Sequence, residues 1–265
     1  MKFLLPLFLC SSLFAQNITN LYVGQQLSVG MQLTTVPSAG SSYTNVVNGI
    51  VGWWKFDEGT GLVALDSSGN LNVGTINGGS SYVTGKVGPY ALSFDGSSGY
   101  VSDHSFNTSF IKTTPFSGTA WINTTNTSFQ EIICNWNFPT NPGWDWDISD
   151  LAANKICFFI ANADAGLIRG KYGATAVNDG KWHHIAFTYD GSNTAAGIKL
   201  YVDGNADSLT TLQDADPGTL VNNSFEIGKR NGGIEGYFNG SIDDVRIYNR
   251  ALSAGEVLDL YNFTK

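Results

Sequence analysis

"GKWHHIAFTYDG" occupies residues 180–191, and "IKLYVDG" follows at 198–204. Read at a period of two, His183, Ile185, Phe187 and Tyr189 share one face, and His184, Ala186 and Thr188 the other. In the second run Ile198, Leu200 and Val202 alternate with Lys199, Tyr201 and Asp203. The intervening "DGSNTAAG" has hairpin length. The two runs therefore predict a β-hairpin over 182–204 with one apolar face turned to a core. The same alternation bears on chemistry. His183 and His184 point to opposite faces of a regular strand and do not share one ligand, and His104 lies far away in sequence. The stretch is a packing element, and no catalytic or metal site is read from it.

Runs of the same kind recur along the chain, among them "IVGWWKFD", "YALSFDG", "FSGTAWINT", "KICFFIAN" and "GSIDDVRIYN", separated by Gly, Asn and Asp. The 265 residues include 31 glycines, and 13% of them are aromatic but only 14% charged. That is the profile of many short strands joined by turns. A helical signal closes the chain: in "RALSAGEVLDLYN" Ser253 stands three positions before Glu256, a capping box. The expected fold is all-β, a two-sheet antiparallel sandwich with one short C-terminal helix. The net charge of −8 argues against nucleic acid, which wants a basic face. It suits neutral ligands or divalent cations.

"MKFLLPLFLCSSLFAQ" reads as a secretory signal peptide over residues 1–15, with a small-residue exit at Ala15. The apolar run is too short for a membrane span. Residues 16–48 carry no charged side chain and end in the linker-like "VPSAGSSYTN". Two readings of them stand: a loose leader, or a strand in "LYVGQQLSVGMQL" that pairs with another chain. Residues 49–265 form the domain. The expectation is a secreted or cell-surface protein. Export permits a Cys134–Cys157 disulfide. Geometry opposes it, because "FQEIICNW", "WDWDIS" and "KICFFIAN" read as a meander with a strand between the two cysteines. Next-neighbour strands lie ~9.6 Å apart, and a bridge needs Cα atoms within ~7 Å.

The loop "NWNFPTNPGWDW" concentrates aromatic residues and asparagines between strands. Sugar CH faces stack on flat rings, so Trp136, Trp144 and Trp146 are the candidate ligand-facing patch. The competing reading wedges them into the sandwich, as expected of Trp54, Phe56 and Trp182. In "WDWDISD" Asp145 and Asp147 share a face opposite Trp144, Trp146 and Ile148. Two such carboxylates suit acid/base chemistry, a cation, or simply a polar strand face.

In this order, "WWKFDEGTG", "GKVGPYALSFDGSSGYV", "GKWHHIAFTYDG", "IKLYVDG" and "FNGSIDDVRIYNRALSAGEV" resemble the laminin G-like jelly-roll domain of the concanavalin A-like lectin/glucanase superfamily. The resemblance runs from about Val51 to Tyr261. It implies a jelly-roll sandwich that commonly serves as a carbohydrate-binding or adhesive module, with glycoside hydrolases and lyases among its relatives. Laminarinase-type relatives carry Glu-x-Asp-x-x-Glu on one strand. The glutamates here are Glu58, Glu131, Glu226, Glu235 and Glu256, and none forms that motif. The expectation is therefore a non-catalytic domain. Related glucanases also hold a structural calcium with an aspartate before a "VRVY" segment. The matching residue is Asp243, with Asp57 and the Asp95–Gly96 turn as neighbours. Alternation in "IDDVRIY" places Asp243 inward with Val245 and Ile247, where an unpaired acid is costly. Arg246 and Arg250 are the alternative partners for Asp243 or Asp244.

The leading expectation is a secreted recognition or adhesion module that binds a glycan or a cell-surface or matrix partner, with calcium. One alternative is a subunit of a surface or filament assembly, self-associating through residues 16–48. The other is a glycoside hydrolase or polysaccharide lyase.

Overall fold

The structure, a computed structural model, describes residues 46–103, 106, 110, 113–136, 142–150, 152–162, 166–218, 220, 225–231 and 236–265. The expected signal peptide and almost all of the extension over 16–48 lie outside the described residues. The domain starts earlier than position 49, however. Val46 is fully buried and its carbonyl accepts a hydrogen bond of 2.9 Å from the Tyr248 hydroxyl.

Two antiparallel sheets form, as the alternation predicts. The first has eight strands. Its order is β14 (Asn205–Ala206), β13 (Ile198–Val202), β12 (His183–Tyr189), β7 (Phe116–Asn123), β17 (Asn239–Tyr248), β5 (Tyr90–Asp95) and β4 (Ser80–Thr84). β1 (Ile50–Trp54) also pairs with β17. The second has nine strands. It runs β15 (Thr210–Asp214), β11 (Leu167–Ala176), β10 (Lys155–Asn162), β9 (Gly143–Ile148), β8 (Gln130–Cys134), β16 (Phe225–Ile227), β6 (Tyr100–Asp103), β3 (Gly74–Asn77) and β2 (Val63–Ala64).

The quoted hairpin is β12–β13, and Ile185, Phe187, Tyr189, Ile198, Leu200 and Val202 all enter the core. There they meet Trp144, Trp146, Phe158 and Ile160 from the second sheet. Phe187 stacks on Phe158 at 4.0 Å and receives Trp146 edge-on at 5.0 Å. Its cross-strand partner is Gly118, where an added Cβ would stand 2.4 Å from the ring. The glycine is needed because the ring lies over the neighbouring strand. Trp54 and Phe56 are core residues as expected, whereas Trp182 is only half-buried.

The helix α1 (Ala254–Thr264) forms with both halves of its capping box: Ser253 Oγ accepts from the Glu256 amide, and Glu256 accepts from the Ser253 amide. Its Val257 and Leu260 close over Ala186, Tyr201 and Tyr248 on the outer face of the first sheet. His184 lies in this layer, edge-on to Trp121 at 5.4 Å. Burial, and then Arg246, push its pKa down to about 3, so it stays neutral. His183 instead bridges Asp203 and Asp179 at 2.9 and 3.1 Å. The two imidazoles do not converge. β9 lies between β8 and β10, and Cys134 and Cys157 are not joined by a disulfide.

Candidate functional site

The helix covers the outer face of the first sheet; the outer face of the second carries a concentration of charge. β9 sorts its side chains by alternation. Trp144, Trp146 and Ile148 point into the core, and Asp145 and Asp147 point out. The expected aromatic patch is therefore corrected. Trp144 and Trp146 are 1% and 0% exposed and pack on core phenylalanines. Trp136 is 4% exposed and lies edge-on to Phe159 on the outer side. Large rings between two sheets gain more from burial than from solvent contact. Phe138 of the same loop lies outside the described residues.

Glu131 and Cys134 are three residues apart, which on a regular strand puts them on opposite faces. Here the register of β8 against β9 shifts between Glu131 and Ile133. Such a bulge turns Ile132 and Ile133 both into the core, and Glu131 and Cys134 emerge together on the outer side. Glu131 lies opposite Asp147, and Cys134 opposite Asp145. All four are 0% exposed. Arg230, just beyond β16, reaches over them from far along the sequence. Its Nη2 donates to Asp145 Oδ2 and Asp150 Oδ2, each at 3.0 Å, and its Nε stands 3.5 Å from Glu131 Oε2. Its guanidinium lies 4.1 Å over the Phe129 ring.

One guanidinium does not neutralise three buried carboxylates. Burial first, then the charge of Asp145, raises the Glu131 pKa well above the carboxylate range, with Arg230 opposing. Burial, Asp145 and Asp150 raise Asp147 in the same way. A protonated acid beside a carboxylate is the equipment of acid/base hydrolysis. Neither group is open to a substrate. Glu131, one of the five glutamates that form no such motif, thus stands at the centre of the charge cluster, and the bulge brings it there.

Beside Phe129 a groove of about 500 Å³ is lined by Gly96, Ser97, Asn126, Ser128, Phe129, Gly236, Tyr237 and Asn239. Phe129 and Tyr237 are half-buried, and Tyr237 lies edge-on to Tyr100 at 6.4 Å. Lys229 sits 4.3 Å over Tyr100 and 5.7 Å from the Tyr237 ring. Sequence reading missed this groove. Its residues come from three separate turns, and Tyr237 stands just before the family-like segment that opens at Phe238.

Of the residues expected to hold calcium, Asp243 and Asp57 meet one loop, and the Asp95–Gly96 turn lies apart from them. Asp243 faces away from the core, opposite Trp121, because β17 bulges between Asp243 and Arg246 with Asp244 at φ +49°. The alternation that placed it with Val245 is broken by that extra residue. Asp243 Oδ2 accepts the Lys86 and Val87 amides at 2.8 Å each, and Oδ1 is buried with no hydrogen-bond partner. Asp57 accepts from the Tyr90 amide at 3.4 Å and so contacts the same loop. Asp95 pairs across from Asn239, four residues from Asp243, or ~13 Å along the strand. Its oxygens are taken by Ser97, Ser98 and Gly99, and Gly96 donates to Phe238. The arginine partnership falls to Asp244, which Arg246 meets at 2.9 Å.

Burial raises the Asp243 pKa to about 7, against the two amides. Its folded value lies above the ordinary 3.8, so it binds more protons folded than unfolded. Its contribution to stability is full below the unfolded pKa and is lost as pH rises through the folded one. Glu131 and Asp147 carry the same sign. The opposing contribution of His184 falls below its ordinary value of 6.5. In chelator-treated protein the thermal midpoint should therefore fall from about pH 6.5 to about pH 8. Asp243→Asn should flatten that fall; a midpoint that rises over the interval contradicts the burial argument.

The family described as the concanavalin A-like lectin/glucanases superfamily matches residues 95–258. No curated protein sequence matches the chain. Among solved structures, the binding domain of Paraclostridial Mosquitocidal Protein 1 superposes with a TM-score of 0.64 at 16% identity, over 82% of this chain and 53% of that one. The binding domain of botulinum neurotoxin DC in complex with SialylT gives 0.62 at 14%, over 83% and 52%. Domain 4 of AbnA, a GH43 extracellular arabinanase from Geobacillus stearothermophilus in complex with arabinotriose, gives 0.59 at 24%, over 80% and 98%. The chain spans about half the length of the toxin binding domains. These likenesses are of fold, and the fold is one that binding domains use.

Proposed function

Because the chain belongs to the concanavalin A-like lectin/glucanases superfamily, we propose that it is an exported, non-catalytic recognition module that holds a neutral glycan. The observation that carries this reading is the groove beside Phe129. Two half-buried aromatic side chains, Phe129 and Tyr237, stand there with Asn126, Asn239, Ser97 and Ser128. Flat rings take sugar CH faces, and amides and hydroxyls fix orientation through hydrogen bonds. Arabinotriose in the arabinanase domain supports a saccharide as ligand. The burial of Glu131 and Asp145 favours binding over cleavage. A structural calcium belongs to the same proposal. It would use the free Asp243 Oδ1, with carbonyls and water completing the six to eight oxygens that ion takes.

A glycan array followed by calorimetry tests the proposal, with arabino-oligosaccharides included. Tyr237→Ala should weaken binding at least ~10-fold, as for a truncated aromatic anchor, with the thermal midpoint preserved. No glycan retained, or unchanged affinity in Tyr237→Ala, would overturn it. Calcium should raise the midpoint of the wild-type chain and not of Asp243→Asn.

A further inference from the structure

We propose that Glu131, Cys134 and Asp145 form a binding site for a thiophilic divalent cation of the zinc class. Their ligand atoms all lie within 4.8 Å of one another. Donors around one tetrahedral zinc stand ~3.3–3.8 Å apart, so small rotamer adjustments close the site. The backbone already commits to the convergence. The β8 bulge brings Glu131 and Cys134 to one side, and register sets Asp145 opposite Cys134.

A second, independent observation points to a ligand. Glu131 is 0% exposed, and no N–H or hydroxyl group donates to its oxygens or to Asp145 Oδ1; Arg230 Nε stands 3.5 Å from Glu131 Oε2, and a protonated Glu131 would share its proton with Asp145. Buried acceptors in native proteins are normally satisfied. Charge leads to the same answer. Glu131, Asp145 and Asp147 are buried against Arg230, which leaves two negative charges uncompensated when all three ionise. A dication supplies that balance for the carboxylates and leaves one negative charge once Cys134 ionises as a ligand; two retained protons are the competing solution.

The sulfur selects the ion. Calcium takes oxygen donors, whereas a thiolate favours softer metals. Cys134 Sγ accepts the Trp136 amide at 3.3 Å, the kind of outer contact that supports a metal-bound thiolate. In the metal-free protein the thiol donates to the Trp136 carbonyl at 3.1 Å. Binding breaks the S–H bond, forms a metal–sulfur bond and releases that proton to solvent. No electron is transferred. Arg230 competes with the ion for Asp145 and Glu131, so removing its charge should tighten the site. A counter-ion with no metal to rival would do the opposite.

The test titrates the chelator-stripped full chain with zinc chloride by calorimetry, and with cobalt(II) by absorbance. One equivalent should bind, and cobalt should give a thiolate charge-transfer band that Cys134→Ser abolishes. Glu131→Gln should weaken binding at least ~10-fold, as for loss of a ligand, and Arg230→Met should tighten it several-fold. Asp243→Asn and Tyr237→Ala should leave it unchanged, so the calcium and glycan readings fail or succeed separately. No stoichiometric binding, no cobalt–thiolate band in the wild type, or weaker binding in Arg230→Met would overturn the proposal. If Glu131→Gln does not fold, the wild-type cobalt band still decides.

Discussion

Trp144→Ala lowers the unfolding free energy by about 3–5 kcal/mol, as large-to-small changes at buried aromatic sites do. Trp144 is 1% exposed and touches five core rings: Phe116 at 5.5 Å, Phe187 at 5.8 Å, Phe225 at 6.2 Å, Phe158 at 6.3 Å and Phe110 at 6.5 Å. Two of these come from the facing sheet, so truncation opens a cavity that neither sheet can close alone. For a domain of this size the thermal midpoint should drop by roughly 6–20 °C. Urea unfolding with an unchanged slope measures the loss. A ligand-facing tryptophan behaves in the opposite way, losing binding while keeping stability. A midpoint within a degree or two of wild type would restore the ligand-patch reading of this residue.

Asp244→Ala should cost about as much, roughly 3–5 kcal/mol, because it strips one partner from a buried ion pair. Asp244 Oδ2 meets Arg246 Nη2 at 2.9 Å, and Oδ1 accepts from Arg246 Nε at 3.1 Å and Trp53 Nε1 at 2.7 Å. The two side chains are 4% and 2% exposed, so water does not replace the lost contacts. Asp244 also sits at φ +49°, in the left-handed region where aspartate is tolerated and alanine is not favoured. Asp244→Gly separates these causes: it relieves the backbone but still leaves the guanidinium unpaired. Denaturant midpoints should order wild type above Asp244→Gly, and Asp244→Gly above Asp244→Ala. If alanine and wild type unfold together, the pair contributes no stability.

Much of the fold was legible because local patterns and tertiary outcome agree. The β12–β13 hairpin, the Ser253–Glu256 capping box and the β8–β9–β10 meander all follow from spacings along a few residues. The candidate site was less legible. Asp145 and Asp147 were correctly placed on a common face, but their surroundings were not. Arg230 reaches Asp145 across 85 positions of sequence. The groove gathers Ser97, Asn126 and Tyr237 from turns that no short spacing relates.

Period-two alternation determines which side chains of one strand travel together. It does not say which of the two faces meets the core. That choice belongs to the pairing of sheets, which turned Trp144 and Trp146 inward and Asp145 and Asp147 outward. Nor does it survive an inserted residue. At β8 the bulge unites Glu131 with Cys134, and at β17 it turns Asp243 away from Val245. Each bulge is a register shift against a partner strand distant in sequence, so it is settled by the packed sheet. The amino-acid order alone determined the strands, their relative faces and the helix cap. The tertiary structure decided which face is inside and where the alternation breaks, and both features that define the charged site depend on those two decisions.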